Sequence, residues 1–136
     1  MTDLTLIKAA QDAAEYAYAP YSSFAVGAAL LCASGKVYCG CNIENAAFSP
    51  TICAERTADA KAISEGERNF VAIAIAAKKN GVLVDALSPC GVCRQVLSEF
   101  CDPHTFRILT LSQGTVVTHT LSALLPHGFS KSDLSQ

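Results

Sequence analysis

Cys53-Ala54-Glu55 and, further along, Pro89-Cys90-Gly91-Val92-Cys93 set three thiols and one acid at spacings that suit a metal ion. Cys90 and Cys93 are three apart, so on the first turn of a helix both sulfurs share a face. Cys53 opens a second helical stretch. A helix N-terminus supplies partial positive charge and free N–H groups, which favour thiolate over thiol. A structural zinc takes four protein ligands, whereas a catalytic zinc keeps one position open for water. No fourth Cys or His has matching spacing, so the pattern predicts one catalytic zinc per chain, held by Cys53, Cys90 and Cys93. A lone Cys-x-x-Cys also suits a redox pair, but Pro89 and the upstream Cys53-Ala54-Glu55 argue against that here.

Glu55 stands two residues after the first thiol. A zinc-bound water is acidified from ~15.7 toward ~7, and a carboxylate beside it can take a proton and pass it on. The plainer role for Glu55 is a first-turn acid complementing the helix dipole. Arg56 answers an electrostatic problem. Three thiolates and a hydroxide leave a divalent zinc site net negative, and a guanidinium donating to the sulfurs would offset part of that charge. Arg94 is a weaker candidate for the same role. His104, His119 and His127 have no partner at ligand spacing and are not expected to bind the metal.

The elements that must hold these groups can be read from periodicity. Leu6, Ala10, Ala13 and Ala17 recur at helical spacing over 3–18, and Pro20 ends that stretch. Residues 24–32 are apolar at nearly every position, as in a strand covered on both faces. Ser34-Gly35 turns the chain into a second strand, 36–41. A polar loop, 42–52, leads to a helix from about Cys53 to Ser64. Phe70 to Ala77 reads as a third strand, followed by a longer loop with a turn at Lys79-Asn80-Gly81. A helix starts near Cys90 and stops before Asp102-Pro103. Strands 106–111 and 115–119 flank Ser112-Gln113-Gly114, and a short helix begins near Thr120. This order predicts an α/β fold of three layers, α/β/α, with a mixed five-stranded sheet. Both thiol clusters fall at helix starts after strands, where open α/β sheets place their sites.

The 136 residues suit a single domain, 1–136, with a real core; 51% are apolar and 16% charged. The formal charge is −2, and no basic run exceeds Lys78-Lys79. A phosphate-rich partner needs a basic stripe, so no nucleic-acid partner is expected. No apolar run reaches membrane-span length, and no basic region precedes the first apolar stretch as in a secretory signal. Seven cysteines, an odd count, argue for a reducing, cytoplasmic setting. Cys32, Cys39, Cys41 and Cys101 read as small buried hydrophobes.

Across Tyr18-Ala19-Pro20-Tyr21-Ser22, Phe24 to Leu30, Gly40 to Ala46, Cys53-Ala54-Glu55-Arg56, Ser88 to Gln95 and Leu124-Leu125-Pro126 with Phe129, the chain resembles the cytidine deaminases. Zinc deaminases as a class hold the metal by His/Cys/Cys or three Cys and use a Glu that is not a ligand, a known pattern that this chain matches. Cys53, where long dimeric relatives carry His, resembles the short homotetrameric branch. The resemblance implies zinc-dependent hydrolytic deamination of cytidine and 2′-deoxycytidine to the uridines, with release of ammonia, in pyrimidine salvage. It implies that Asn42 and Glu44 bind the ribose hydroxyls, that Phe24 lines the nucleoside pocket, and that backbone at Ala54 and Cys90 contacts the pyrimidine. Phe129 would come from a neighbouring subunit of a homotetramer. Phe48 stands where many relatives have Tyr. Two other readings are a blasticidin-type aminonucleoside deaminase and a non-catalytic zinc-stabilised binding module. Asn42-Ile43-Glu44-Asn45-Ala46 favours a plain nucleoside, and the binding module lacks a fourth ligand.

Overall fold

The structure, a computed structural model, describes residues 1–85 and 87–135. Helix α1, Asp3–Ala14, starts where the Thr2 side chain accepts from the Thr5 N–H, and it buries Leu6, Ile7, Ala10, Ala13 and Ala14. It stops four residues before the sequence pattern does. Tyr18 leaves the helix to pair with the following loop, donating its N–H to Asn42 O and accepting from Glu44 N–H. Proline at position 20 also disfavours helix for the residue before it.

Strands β1 (Phe24–Cys32) and β2 (Val37–Cys41) form an antiparallel hairpin. Helix α2 (Ala54–Ser64) then crosses to β3 (Phe70–Lys79), which pairs antiparallel on the other side of β1. Strands β2 and β3 therefore run the same way. Asn80 and Gly81, both at positive φ, turn the chain into β4 (Val82–Leu83), a short sixth strand within what reads in sequence as loop. Helix α3 (Gly91–Ser98) crosses from β3 to the parallel β5 (Arg107–Ser112), and β6 (Thr115–Thr120) closes the sheet antiparallel. The main order is β2-β1-β3-β5-β6, a mixed sheet of five strands with β4 as an addition on β3. Two short helices follow: α4 (Leu121–Leu124), and α5 (Lys131–Leu134), which periodicity does not foreshadow.

The sheet is covered on both sides. Leu6, Ile7 and Ala10 of α1 pack on Ala29, Ala72, Ala74 and Leu109. Alternate residues, Ala28, Leu30, Ile73 and Ile108, face α2 and α3 through Ala54, Ala58, Ala62 and Leu97. Two glycines permit the close approach. A Cβ on Gly27 would stand 1.9 Å from Ala10 O, and one on Gly40 would stand 2.5 Å from Ala58 N. Because β2 and β3 are parallel to each other, α2 and α3 both start from the same end of the sheet. That topology brings Cys53 and Cys90 together across 37 residues of sequence.

Candidate active site

Cys53 is the N-cap of α2, and Cys90 is the N-cap of α3. The Cys90 sulfur accepts from the Cys93 N–H at 3.4 Å. The three sulfurs lie within 4.8 Å of one another, with Cys53–Cys90 at 3.7 Å and Cys90–Cys93 at 3.4 Å. A tetrahedral zinc with Zn–S near 2.3 Å needs sulfurs about 3.8 Å apart, so the donor set fits that ion. The thiols are hydrogen-bonded to one another. Cys53 is drawn down to about 5, first by the bond from Cys93 and then by Arg56. Cys93, the donor, moves up for the same reason, with burial adding. A divalent cation would hold such a cluster deprotonated. Among the described residues, no other His, Cys, Asp or Glu group is so clustered, and none of the three histidines joins this one.

Arg56 Nη2 donates to the Cys53 sulfur at 3.6 Å. Arg94 does not reach the thiols. It donates to Pro89 O (2.8 Å), Leu124 O (2.6 Å) and Ser88 Oγ (2.6 Å), so it clamps the loop before Cys90 to the C-terminal helix α4. That overturns charge compensation by Arg94 and gives it a structural task.

Glu55 sits on the first turn of α2, only 4% exposed, at the floor of a cleft of about 340 Å³. Burial pushes its carboxyl up, and the Cys53 thiolate adds to this. Phe24, Val26, Ile52, Ala54, Ile75 and Leu87 give the cleft apolar walls, and Cys53 and Cys90 open onto it. Asn42 and Glu44 stand at its polar side, in a loop pinned by the Ile43–Ile52 pair of backbone bonds and by Tyr18. Asn42 Oδ1 accepts from Val26 N–H and Nδ2 donates to Phe24 O, both at 2.8 Å. One N–H and one lone pair remain for a ligand. The Glu44 carboxylate accepts from Tyr21 N–H (3.0 Å), Ser22 N–H (3.2 Å) and Ser22 Oγ, and the hydroxyl foremost holds its carboxyl below the ordinary range.

The structure thus brings Phe24, Asn42, Glu44, Ala54, Glu55, Cys53 and Cys90 to one cleft, with Cys93 behind Cys90. Phe129 lies elsewhere. It is 60% exposed, beside Leu125 and Cys101, with its carbonyl held by Gln95 Nε2 at 2.8 Å. Phe48 is also exposed. Ser22 and the walls from Leu87 and Ile75 escaped sequence reasoning. The Ser22 role has no local signal, because its partner lies 22 residues away.

Known proteins bear on this geometry. Residues 1–108 match the family model described as the cytidine and deoxycytidylate deaminase zinc-binding region. The chain is similar to a cytidine deaminase of Sporosarcina psychrophila, 52% identical over 130 residues that cover 96% of this chain and 93% of that one. A probable cytidine deaminase of Dictyostelium discoideum is 42% identical over 94% of this chain and 84% of that one. Among solved structures, a cytidine deaminase from Burkholderia pseudomallei superposes with a TM-score of 0.84 at 44% identity, covering 95% of this chain and all of that one. One from Mycobacterium tuberculosis gives 0.79 at 37% identity, covering 95% and 98%. With the thiol triad, the buried acid and the cleft in one place, this chain belongs to the cytidine and deoxycytidylate deaminase zinc-binding family.

Proposed function

We infer that the chain is a zinc-dependent hydrolase that deaminates cytidine and 2′-deoxycytidine to uridine and 2′-deoxyuridine, releasing ammonia. The observation that carries this reading is the meeting of Glu55 with three thiols at the floor of a cleft sized for a nucleoside. Cys53, Cys90 and Cys93 would hold the zinc, which when bound acts as a Lewis acid and acidifies water. Glu55 would take a proton from the water and pass it to the ring nitrogen as hydroxide adds at C4. It would then take the proton of that new hydroxyl and pass it to the leaving amine as the C–N bond breaks and the carbonyl forms. Its burial favours this work, because a carboxyl with raised proton affinity can hold the proton between transfers. Arg56 offsets thiolate charge through Cys53. Phe24 and Ala54 flank the base, while the free valences of Asn42 and the Glu44 carboxylate grip the ribose hydroxyls.

The exposure of Phe129 supports a site completed across subunits of a homotetramer, in which Phe129 enters a neighbour's cleft and stacks on the pyrimidine, an interaction worth roughly 1–3 kcal/mol for bases on aromatics. The same reading puts the activity in pyrimidine salvage in the cytoplasm, a setting supported by seven cysteines that suit a reducing compartment. No helix among the described residues is long and apolar enough to cross a membrane. The direct test follows the ultraviolet absorbance of cytidine and 2′-deoxycytidine with purified protein, with and without a zinc chelator. Chelator-sensitive conversion is expected, and absence of conversion in zinc-loaded protein refutes the reading. For assembly, homo-oligomers of Phe129→Ala and of Glu55→Ala should each be poor enzymes. Mixed oligomers of the two should regain activity. Activity at the parental average sinks the shared site.

A further inference from the structure

Helix α2 buries one acid that the proposed reaction does not use. Asp59 is 1% exposed, and both its carboxyl oxygens lack a hydrogen-bond partner. Among the described residues, the one other buried side-chain polar atom without a partner is Nε of Arg56. An orphan donor and two orphan acceptors thus belong to residues three apart on one helix, which is neighbour spacing. Helical side chains tilt toward the N-terminus, so the Asp59 carboxyl lies over the turn that carries Arg56. The two groups also sense each other: burial and Glu55 push the Asp59 carboxyl up, and Arg56 opposes them. The rest of its surroundings are unsuited to an acid. Asp59 acts on the thiols of Cys32 in β1 and Cys101 after α3, beside the apolar cluster of Ala58, Phe70 and Leu97. An aliphatic side chain would pack there without an unpaired polar group. Folded proteins leave few buried polar atoms unpaired, and buried waters commonly join those that are.

We propose that Asp59 is a positioning residue for Arg56: through a shared buried water its carboxyl takes up the Nε–H, and so fixes the guanidinium with its Nη2 end on the Cys53 sulfur. The guanidinium is planar and rigid, so holding Nε aims Nη2. An uncharged Asp59 serves as well as a charged one, since the acid keeps a carbonyl oxygen as acceptor and leaves the guanidinium charge for the sulfurs. This inference rests on the reading of Arg56 as the donor that offsets thiolate charge.

The test measures the rate at which zinc-loaded protein surrenders its metal to a chromogenic chelator, beside its thermal midpoint. Asp59→Leu should release zinc about tenfold faster, the lower end for loss of a group that supports a ligand, with a midpoint no lower than the parent's. Asp59→Asn keeps a carbonyl acceptor and should release zinc near the parental rate. Arg56→Ala should release it faster, and adding Asp59→Leu to Arg56→Ala should change nothing further. If Asp59→Leu keeps the parental release rate, Asp59 does not position Arg56 and the inference falls. It falls equally if Asp59→Leu acts as strongly without Arg56 as with it. Should Arg56→Ala itself release zinc at the parental rate, the charge-offsetting reading fails, a result distinct from the first. Where Asp59→Leu does not fold, Asp59→Ala makes the same comparison.

Discussion

Asp59 also makes folding stability depend on pH with a sign opposite to that of ordinary paired carboxylates. Its carboxyl is pushed up to about 8 from an ordinary 3.8, first by burial and then by Glu55, with Arg56 opposing. Between those values the folded state holds a proton that the unfolded state has released. Stability therefore falls as pH rises through that window, and the loss is complete above about 8. The two values differ by about four decades in proton affinity, or about 6 kcal/mol at about 1.4 kcal/mol per decade. Relaxation and water entry reduce that ceiling, yet buried charges still cost several kcal/mol. A whole domain has about 5–15 kcal/mol of stability, so the effect is large enough to measure. Glu55 and Arg56 on α2, Cys32 on β1 and Cys101 after α3 are the titratable groups that face it. The assay is urea unfolding of zinc-loaded parent and Asp59→Asn, at one protein concentration, from pH 5 to pH 9. The variant's advantage should grow with pH up to about 8 and then level off. An advantage that stays constant across the range would refute the argument. One that shrinks with rising pH would mean that Arg56 stabilises Asp59 as a carboxylate.

Glu55→Gln should keep zinc and fold while kcat drops about 10²–10⁴-fold, the usual range for losing a general acid–base group; retained turnover in steady-state assays would remove Glu55 from the proton path. Ser22→Ala takes away the hydroxyl that donates to Glu44 and accepts from Phe24 N–H, so KM for cytidine should rise several-fold with little change in kcat. An unchanged KM would place Glu44 outside the sugar contact. Gly40→Ala puts a Cβ 2.5 Å from Ala58 N and 2.7 Å from Ala54 O. Overpacking of this kind costs about 1–3 kcal/mol, and since α2 carries Cys53 and Glu55, zinc retention should fall with the thermal midpoint. A parental midpoint would show that α2 can move away freely.

Much of this was legible in the chain because the signals are local. Residues 24–32 read as a covered strand, and β1 has those bounds. Cys53 and Cys90 read as helix starts, and both are N-caps. What local patterns miss is set by distant partners. Helix α1 looks as though it runs to residue 18 because Ala17 fits the period, but Tyr18 finds backbone bonds at positions 42 and 44. Arg94 looks like a second donor to the thiols from its place beside Cys93, but its reach to Leu124 depends on where the C-terminus folds back. The family resemblance implies that Asn42 binds ribose hydroxyls, yet half its amide capacity ties the loop to β1. Asp59 carries no local sign of its burial, because groups near it come from β1 and from the segment after α3.

The meeting of Cys53 and Cys90 has a consequence for the life of the protein as well as its chemistry. An ion that grips both closes a loop of 37 residues. By the chain-entropy relation used for disulfides, a cross-link of that span stabilises the fold by about 4 kcal/mol. A molecule that loses its zinc is thus both inactive and closer to unfolding, with β3 and the segment leading to α3 freed from their clasp. Proteases act on opened chains in proportion to how often they open. Zinc scarcity would then lower the amount of this protein along with its turnover, and metal supply would set its half-life.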